Sequence, residues 1–491
     1  MRARAEIGKE QCDMADADFD AAIAVTRFGM GARPGEIARV RSDPRGWLKA
    51  QIRTEGADQP QDKPQTTPER IAELREYRQD KKAAKAATET MVPEGRDPLK
   101  QVQRMIRDET GGDFAARAQL GANTPAGFRE RWTLFWTNHF TVSAIKLTTA
   151  TVVGPFEQEA IRPHVFGRFT SLLGAADTHP AMLLYLDQTQ SIGPGSAAAQ
   201  YLKRGKNQRG VGKQSLPENL RHAGLNENLA REILELHTVG VNSSYSQADV
   251  TEFARAMTGL SIGGFREPAE YVGTTVFRGN THEPGERIVM GVRYPPGGKE
   301  QAAAILADLA ERPATARFIC TKIARHFVAD DPPPALVDRL TQAWTRSRGD
   351  LAVVATALID APEAWDPTPA KFKTPYEFLI SSWRAAGGAP RDITVLAPTL
   401  NAMGQKPFSP PSPKGWPEET DAWAAPDAIV KRMSWAQSFA DAAIADRDPN
   451  LLAKEALGQR LRPATAAMIA RAESRSEGLA LLLMSPEFQR R

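Results

Sequence analysis

Apolar residues recur at helical spacing along almost all of this 491-residue chain. A helix with an apolar stripe needs another element to bury it against, so the pattern predicts a protein built mainly of packed helices. Ile37 and Val40 follow Pro34, a residue tolerated in a first helical turn, and Asp43 stands as an N-cap before "PRGWLKAQIR". Helical patterns then occupy parts of 97–187, and 226–238, 246–260, 299–312, 314–330, 334–348, 350–361 and 373–387, with further helices closing the chain. The interval 261–298 breaks the pattern. "SIGGF", "YVGTTVFRG" and "GERIVMGVRY" are short, β-branched and bounded by Gly and Pro, which predicts a hairpin. The expected fold is mainly α, a multi-helix globular protein with a small β-hairpin insertion near 261–295.

The length predicts two or three packed units. We divide the chain into a disordered tail (1–16), an N-terminal helical region (17–260), the β insertion (261–298) and a C-terminal helical region (299–491). Residues 56–68 are polar and proline-rich and read as a linker, followed by a charged, solvated helix; 404–417 reads as an extended proline segment. Residues 188–222 have no period and read as a flexible basic loop, with Lys203, Arg204, Lys206, Arg209 and Lys213 suited to an anionic polymer.

Composition excludes several classes. Hydrophobic residues at 41% and charged residues at 25% are ordinary for a globular protein. A net charge of +4 gives no strong nucleic-acid signal, which needs a concentrated basic face. Cys12 and Cys320 are too few and too far apart for a disulfide framework or a zinc-type pair. No run of about 18 apolar residues occurs, so no transmembrane segment is expected. The first residues lack a secretory apolar core, which predicts a cytoplasmic protein, and Met14 is an alternative start to Met1. Phosphate-loop, zincin, nucleophile-elbow and dinucleotide fingerprints are absent.

The polar residues cluster in three places. In "NENLAREILELHT" (226–238), drawn as an α-helix, Glu227, Asn228, Arg231, Glu232, Glu235 and Thr238 form one stripe. His237 falls about 140° from Glu232, inside the apolar arc, so this spacing argues against a Glu–His site within the helix. Arg231 then either bridges Glu227 or Glu235, with His237 a hydrogen-bonded core residue, or it anchors an anion in a cleft where a Glu serves as acid or base. In "RERWTLFWTNHFTVS", Trp132, Phe135, Trp136 and His139 share one face, the usual mark of a core stripe, and Asn138 lies off it. In "GNTHEPGER", His282 and Glu283 sit on a turn between predicted strands. His326 ends a helix, where dipole pairing of a partly charged imidazole is the plain reading.

Taken together, "RFGMGARPGE", "FWTNHF", "HPAMLLYLDQTQSIGP", "NENLAREILELHTVGV", "THEPGERIVMG" and "PSPKGWP" resemble the bacterial family called domain of unknown function 1800 (DUF1800), from about residue 27 to the end. The resemblance implies a large, mostly helical protein without a settled activity. It further implies a link to a sulfatase-like partner of the DUF1501 family, and through it to a sulfated or phosphorylated polymer at the cell envelope. Many members look exported; carriage to the periplasm by a signal-bearing partner is therefore the alternative location. Two positions depart from the family pattern. Thr137 stands where the first His of F-W-H-N-H-F is usual, which costs a metal site one ligand. Glu283 stands where Asp often follows the His, which lengthens the reach of the carboxylate.

Two function classes follow. The first is an enzyme acting on a polymeric or anionic substrate. Glu232, Glu235, His139 and His282 are its candidate catalytic groups, with His139 or His282 as proton carrier or metal ligand, and Asn228, Arg231, Asn138 and Glu283 are its candidate substrate contacts. The second is a non-catalytic binding or assembly partner of the sulfatase-like protein. The residues specify neither a metal nor a cofactor.

Overall fold

The computed structural model describes residues 17–76, 98–209, 224–241, 243–264 and 267–491. The expected tail, the end of the charged helix and the 210–223 part of the basic loop, with Lys213, lie outside the described residues. The fold is mainly α, as the periodicity predicts.

Local chemistry sets the helix starts. Asp43 accepts from the Gly46 amide at the head of Pro44–Lys49. Ser246 and Asp249 form a capping box on Gln247–Met257, and Thr374 and Glu377 form another on Pro375–Ala385. The turn holding Pro34 precedes a short helix, Glu36–Val40. In the stretch expected to be a loop, Gln188–Gln190 form a 3-10 turn and Ala197–Arg209 an α-helix.

The β insertion holds two small sheets rather than one hairpin. β1 (Leu260–Ile262) pairs antiparallel with β2 (Thr275–Phe277), with Leu260 opposite Phe277. β3 (Arg287–Val289) pairs antiparallel with β4 (Val292–Tyr294) through Met290 and Gly291, whose φ values of 47° and 81° suit a tight two-residue turn.

Buried apolar side chains from Ala21 to Phe488 make one continuous core cluster. Helices of both halves contribute: Pro98–Asn123 packs on Leu147–Phe156 and also on Pro375–Ala385 and Ile393–Ala402. Cys320 is buried in this core, as its apolar surroundings predict. Among the described residues, no helix is long and apolar enough to cross a membrane.

Among the described residues, three segments are π-helical: Ala24–Phe28, Glu157–Ile161 and Ile233–His237. A π turn bonds residue i to i+5, which re-aims side chains relative to an α-helix and recurs at functional sites. The third of these turns ends the "NENLAREILELHT" segment.

Candidate functional site

The helix Gly127–His139 runs through the core. Trp132, Phe135 and Trp136 are buried on its apolar face. His139 ends that face and is buried as well. Its Nε2–H donates to the His237 carbonyl at 3.2 Å, and its Nδ1 accepts from Lys322 Nζ at 3.0 Å. Burial, then the Lys322 charge, holds the His139 imidazole well below its ordinary value, so it is neutral at pH 7.

The π turn changes the geometry expected of 226–238. His237 comes into electrostatic reach of Glu232, although α-helical spacing separates them. Its Nδ1–H donates to buried Asp177 at 2.8 Å, and Nε2 has no partner among the described residues. Glu232 is half-buried, and burial raises its carboxyl above the ordinary value. Glu227, Arg231 and Glu235 of the stripe are engaged in paired contacts. Arg231 meets Glu227 at 3.1 Å and Glu235 at 3.7 Å, and Asn228 is exposed. Asn226 accepts from the Asn228 amide and donates to the Leu186 carbonyl at 2.9 Å.

His282 and Glu283 tie chain segments together. Both ring nitrogens of His282 meet backbone carbonyls, of Thr258 and Gly297, at 2.8 Å. Glu283 accepts from the Gly195 amide at 2.5 Å, and a Cβ at Gly193 would stand 2.6 Å from the Glu283 Cβ. Neither shares a hydrogen bond with His139, Glu232 or Glu235, so the structure does not bring the sequence candidates into one site.

A cavity of about 120 Å³ opens beside the other face of Gly127–His139, large enough for several waters at ~10–15 Å³ each. Of the sequence candidates, Asn138 lines it. Its amide donates to the Trp416 carbonyl at 3.0 Å and accepts from the Trp416 N–H at 2.8 Å, which pins the proline-rich segment as the cavity wall. Gly415 has φ +88°, and a Cβ there would stand 2.5 Å from the Asn138 carbonyl oxygen, so only glycine fits. Thr137 also lines the cavity, its hydroxyl turned back to the Thr133 carbonyl at 3.1 Å.

The charged wall consists of residues that the sequence patterns did not nominate together. His326 Nδ1–H donates to Glu418 at 2.7 Å, and its Nε2 is buried without a partner among the described residues. Burial lowers the His326 pKa although Glu418 opposes the shift, so the imidazole is neutral rather than the partly charged group expected at a helix end. Glu377 accepts from Arg131 and forms an ion pair with Arg491 at 3.1 Å. Burial alone would raise Glu377, but the two guanidiniums hold it far below the carboxylate range. Arg491 also donates to the His326 carbonyl at 2.6 Å. Arg117 stacks on Phe114, Tyr376 and Phe408, with its carbon 4.4–5.1 Å from the ring centres, and pairs with Glu157 at 2.9 Å. Among the described residues, no group of three or more His, Cys, Asp or Glu side chains is placed to hold a metal ion.

The two lowered imidazoles have a measurable consequence. Between their depressed folded values and the ordinary 6.5, the unfolded chain binds protons that the folded chain does not. Stability therefore falls as pH drops below about 6.5. Urea unfolding at pH 7.5 and 5.5 checks this, and an equal or higher midpoint at pH 5.5 contradicts it.

No curated protein and no solved structure matches this chain. A family model described as "Protein of unknown function (DUF1800)" matches residues 23–490, nearly the whole chain, and the protein belongs to that family.

Proposed function

We propose that this protein is an acid–base enzyme that takes a small anionic group into the cavity and uses His326 as proton acceptor. The supporting observation is the His326–Glu418 pair: Nδ1–H of this cavity-lining residue is committed to the carboxylate at 2.7 Å, which leaves a neutral, buried Nε2 lone pair with no partner among the described residues. Three guanidiniums, Arg117, Arg131 and Arg491, line the cavity against two carboxylates, Glu377 and Glu418, which leaves the lining one positive charge in excess for an anion. The aromatic residues Phe114, Tyr376, Phe408 and Trp416 offer an apolar surface for the body of the ligand. The cavity volume suits one small group, free or at the end of a polymer, rather than a polymer strand.

The chain has seven histidines, so imidazole NMR resonances can be assigned with single variants. Titration with phosphate or acetate is expected to shift the His326 resonance and raise its apparent pKa, because an anion favours the imidazolium. No shift at saturating anion overturns anion binding. Against a panel of small phosphate, sulfate and carboxylate esters, His326→Gln is expected to lower turnover by about 10²–10⁴-fold, the usual worth of general base catalysis. Full turnover by a folded His326→Gln variant overturns the proton-acceptor role. The competing proposal is a non-catalytic assembly factor for a sulfatase-like DUF1501 protein. The paired contacts of the Arg231 stripe favour it, and anion binding without turnover, with co-purification of that protein, would select it.

A further inference from the structure

Lys322 lies midway along the helix Pro313–Phe327, outside the cavity lining. Its amine meets His139 Nδ1 at 3.0 Å, and the Phe318 ring centre is 5.7 Å away. Among the described residues it has no carboxylate within ion-pair distance, in contrast to Lys371, which meets Asp330 at 2.5 Å. Lys373 also lacks a carboxylate partner, but it is almost wholly buried beneath Phe488. Lys322 is half-buried, so part of the side chain is open to solvent. The buried residue His139 is neutral, and its Nε2–H is committed to the His237 carbonyl, so its Nδ1 is fixed as an acceptor. An amine that donates one N–H to that acceptor is held beside it, with its lone pair confined to the two remaining positions on nitrogen.

We infer that Lys322 is an amine nucleophile that captures a small oxo acid as an imine, with His139 as the residue that positions it. The class of ligand follows from the surrounding charges. Arg325, three residues on along the same helix, and Lys414 are the cations within electrostatic reach of the amine and suit a carboxylate beside the carbonyl, and Glu418 and Glu419 are the acids within the same reach. Glu418 is already committed to His326, and Arg325 Nε donates to the Asp330 carbonyl at 3.0 Å.

The chemistry balances without an oxidant or reductant. The free amine attacks the carbonyl carbon and forms the C–N bond, and the π pair moves to oxygen. Nitrogen loses a proton and oxygen gains one, giving the carbinolamine. Loss of the hydroxyl with the second nitrogen proton, as water, leaves the imine. Burial, only partly opposed by Glu418, lowers the Lys322 pKa to about 8. At pH 8 its free-amine fraction is then roughly 100-fold that of an ordinary lysine.

The test is reductive trapping on the intact chain with glyoxylate and cyanoborohydride at pH 8, followed by peptide mass spectrometry. The expected result is one carboxymethyl adduct on Lys322 before any other lysine, with a labelling rate that rises with pH to a midpoint near 8. Adducts on exposed lysines with Lys322 unmodified, or a midpoint in the ordinary lysine range, overturn the inference. Propionaldehyde, which lacks the carboxylate, is expected to label Lys322 at least several-fold more slowly; an equal rate overturns the oxo-acid assignment. His139→Gln keeps an acceptor oxygen and is expected to keep the preference. A folded His139→Leu variant is expected to lose it, and retention there overturns the positioning role. The wild-type labelling decides the main inference even if either variant fails to fold.

Discussion

Arg162→Met lowers the stability of the protein by about 3–5 kcal/mol, read as a fall in the urea midpoint. Arg162 is fully buried. It donates to both oxygens of Glu130 at 2.9 Å, to Glu157 at 2.7 and 3.0 Å, and to the Asp58 carbonyl at 2.7 Å. The π turn Glu157–Ile161 is what lets Glu157 reach a residue five positions on. With the guanidinium gone, Glu157 keeps Arg117 at 2.9 Å, but Glu130 is left buried without its cation. The cost is that of an unpaired buried charge, so removing the charge should restore stability. Glu130→Leu combined with Arg162→Met is expected to be more stable than Arg162→Met alone. Equal midpoints for the single variant and wild type would mean that water reaches Glu130, and a double variant no better than the single would place the loss in packing.

Trp132→Ala is expected to cost about 3–5 kcal/mol, the range for deleting a large buried aromatic side chain. Trp132 is fully buried at the crossing of several helices. Its ring stacks on Phe166 at 6.1 Å with a 4° interplanar angle and contacts Phe128, Phe135, Trp136 and Phe327. Its Nε1–H donates to the Val165 carbonyl at 2.7 Å, an acceptor that alanine leaves unsatisfied. Trp132→Phe keeps most of the ring and is expected to lose less. A urea midpoint for Trp132→Ala within experimental error of wild type would show that the surrounding helices collapse into the space.

The helices were largely legible because their signals are local. Asp43 and the apolar spacing each act within a few residues of the backbone they order. The β insertion was legible in place, while its division into two sheets depends on which strands pair, with β1 and β2 separated by residues 263–274. The plain reading of Arg231 as a bridge and of His237 as a hydrogen-bonded core residue needed only side-chain spacing, and both contacts are present. The angle between Glu232 and His237 differs from the α-helical one for a local reason, although no direct contact joins them. An α-helical period was applied across Ile233–His237, and the chain adopts i→i+5 geometry there.

The cavity could not be read in this way. His326 and Glu418 are 92 positions apart, and Arg131 and Glu377 are 246 apart. In the sequence Asn138 is a polar residue off an aromatic face, and its place beside the cavity comes from the Trp416 backbone that it clamps. Lys322 carried no motif; its lack of a carboxylate partner is a property of the packed helices around it. Sequence alone determined the class of fold, the general course of most helices and the position of the β insertion, because propensity, capping and periodicity are short-range; the helix Ala197–Arg209 escaped it. Tertiary structure decided which charges are buried, which are left without partners and which meet across a cavity, because desolvation and ion pairing depend on neighbours brought in from distant parts of the chain.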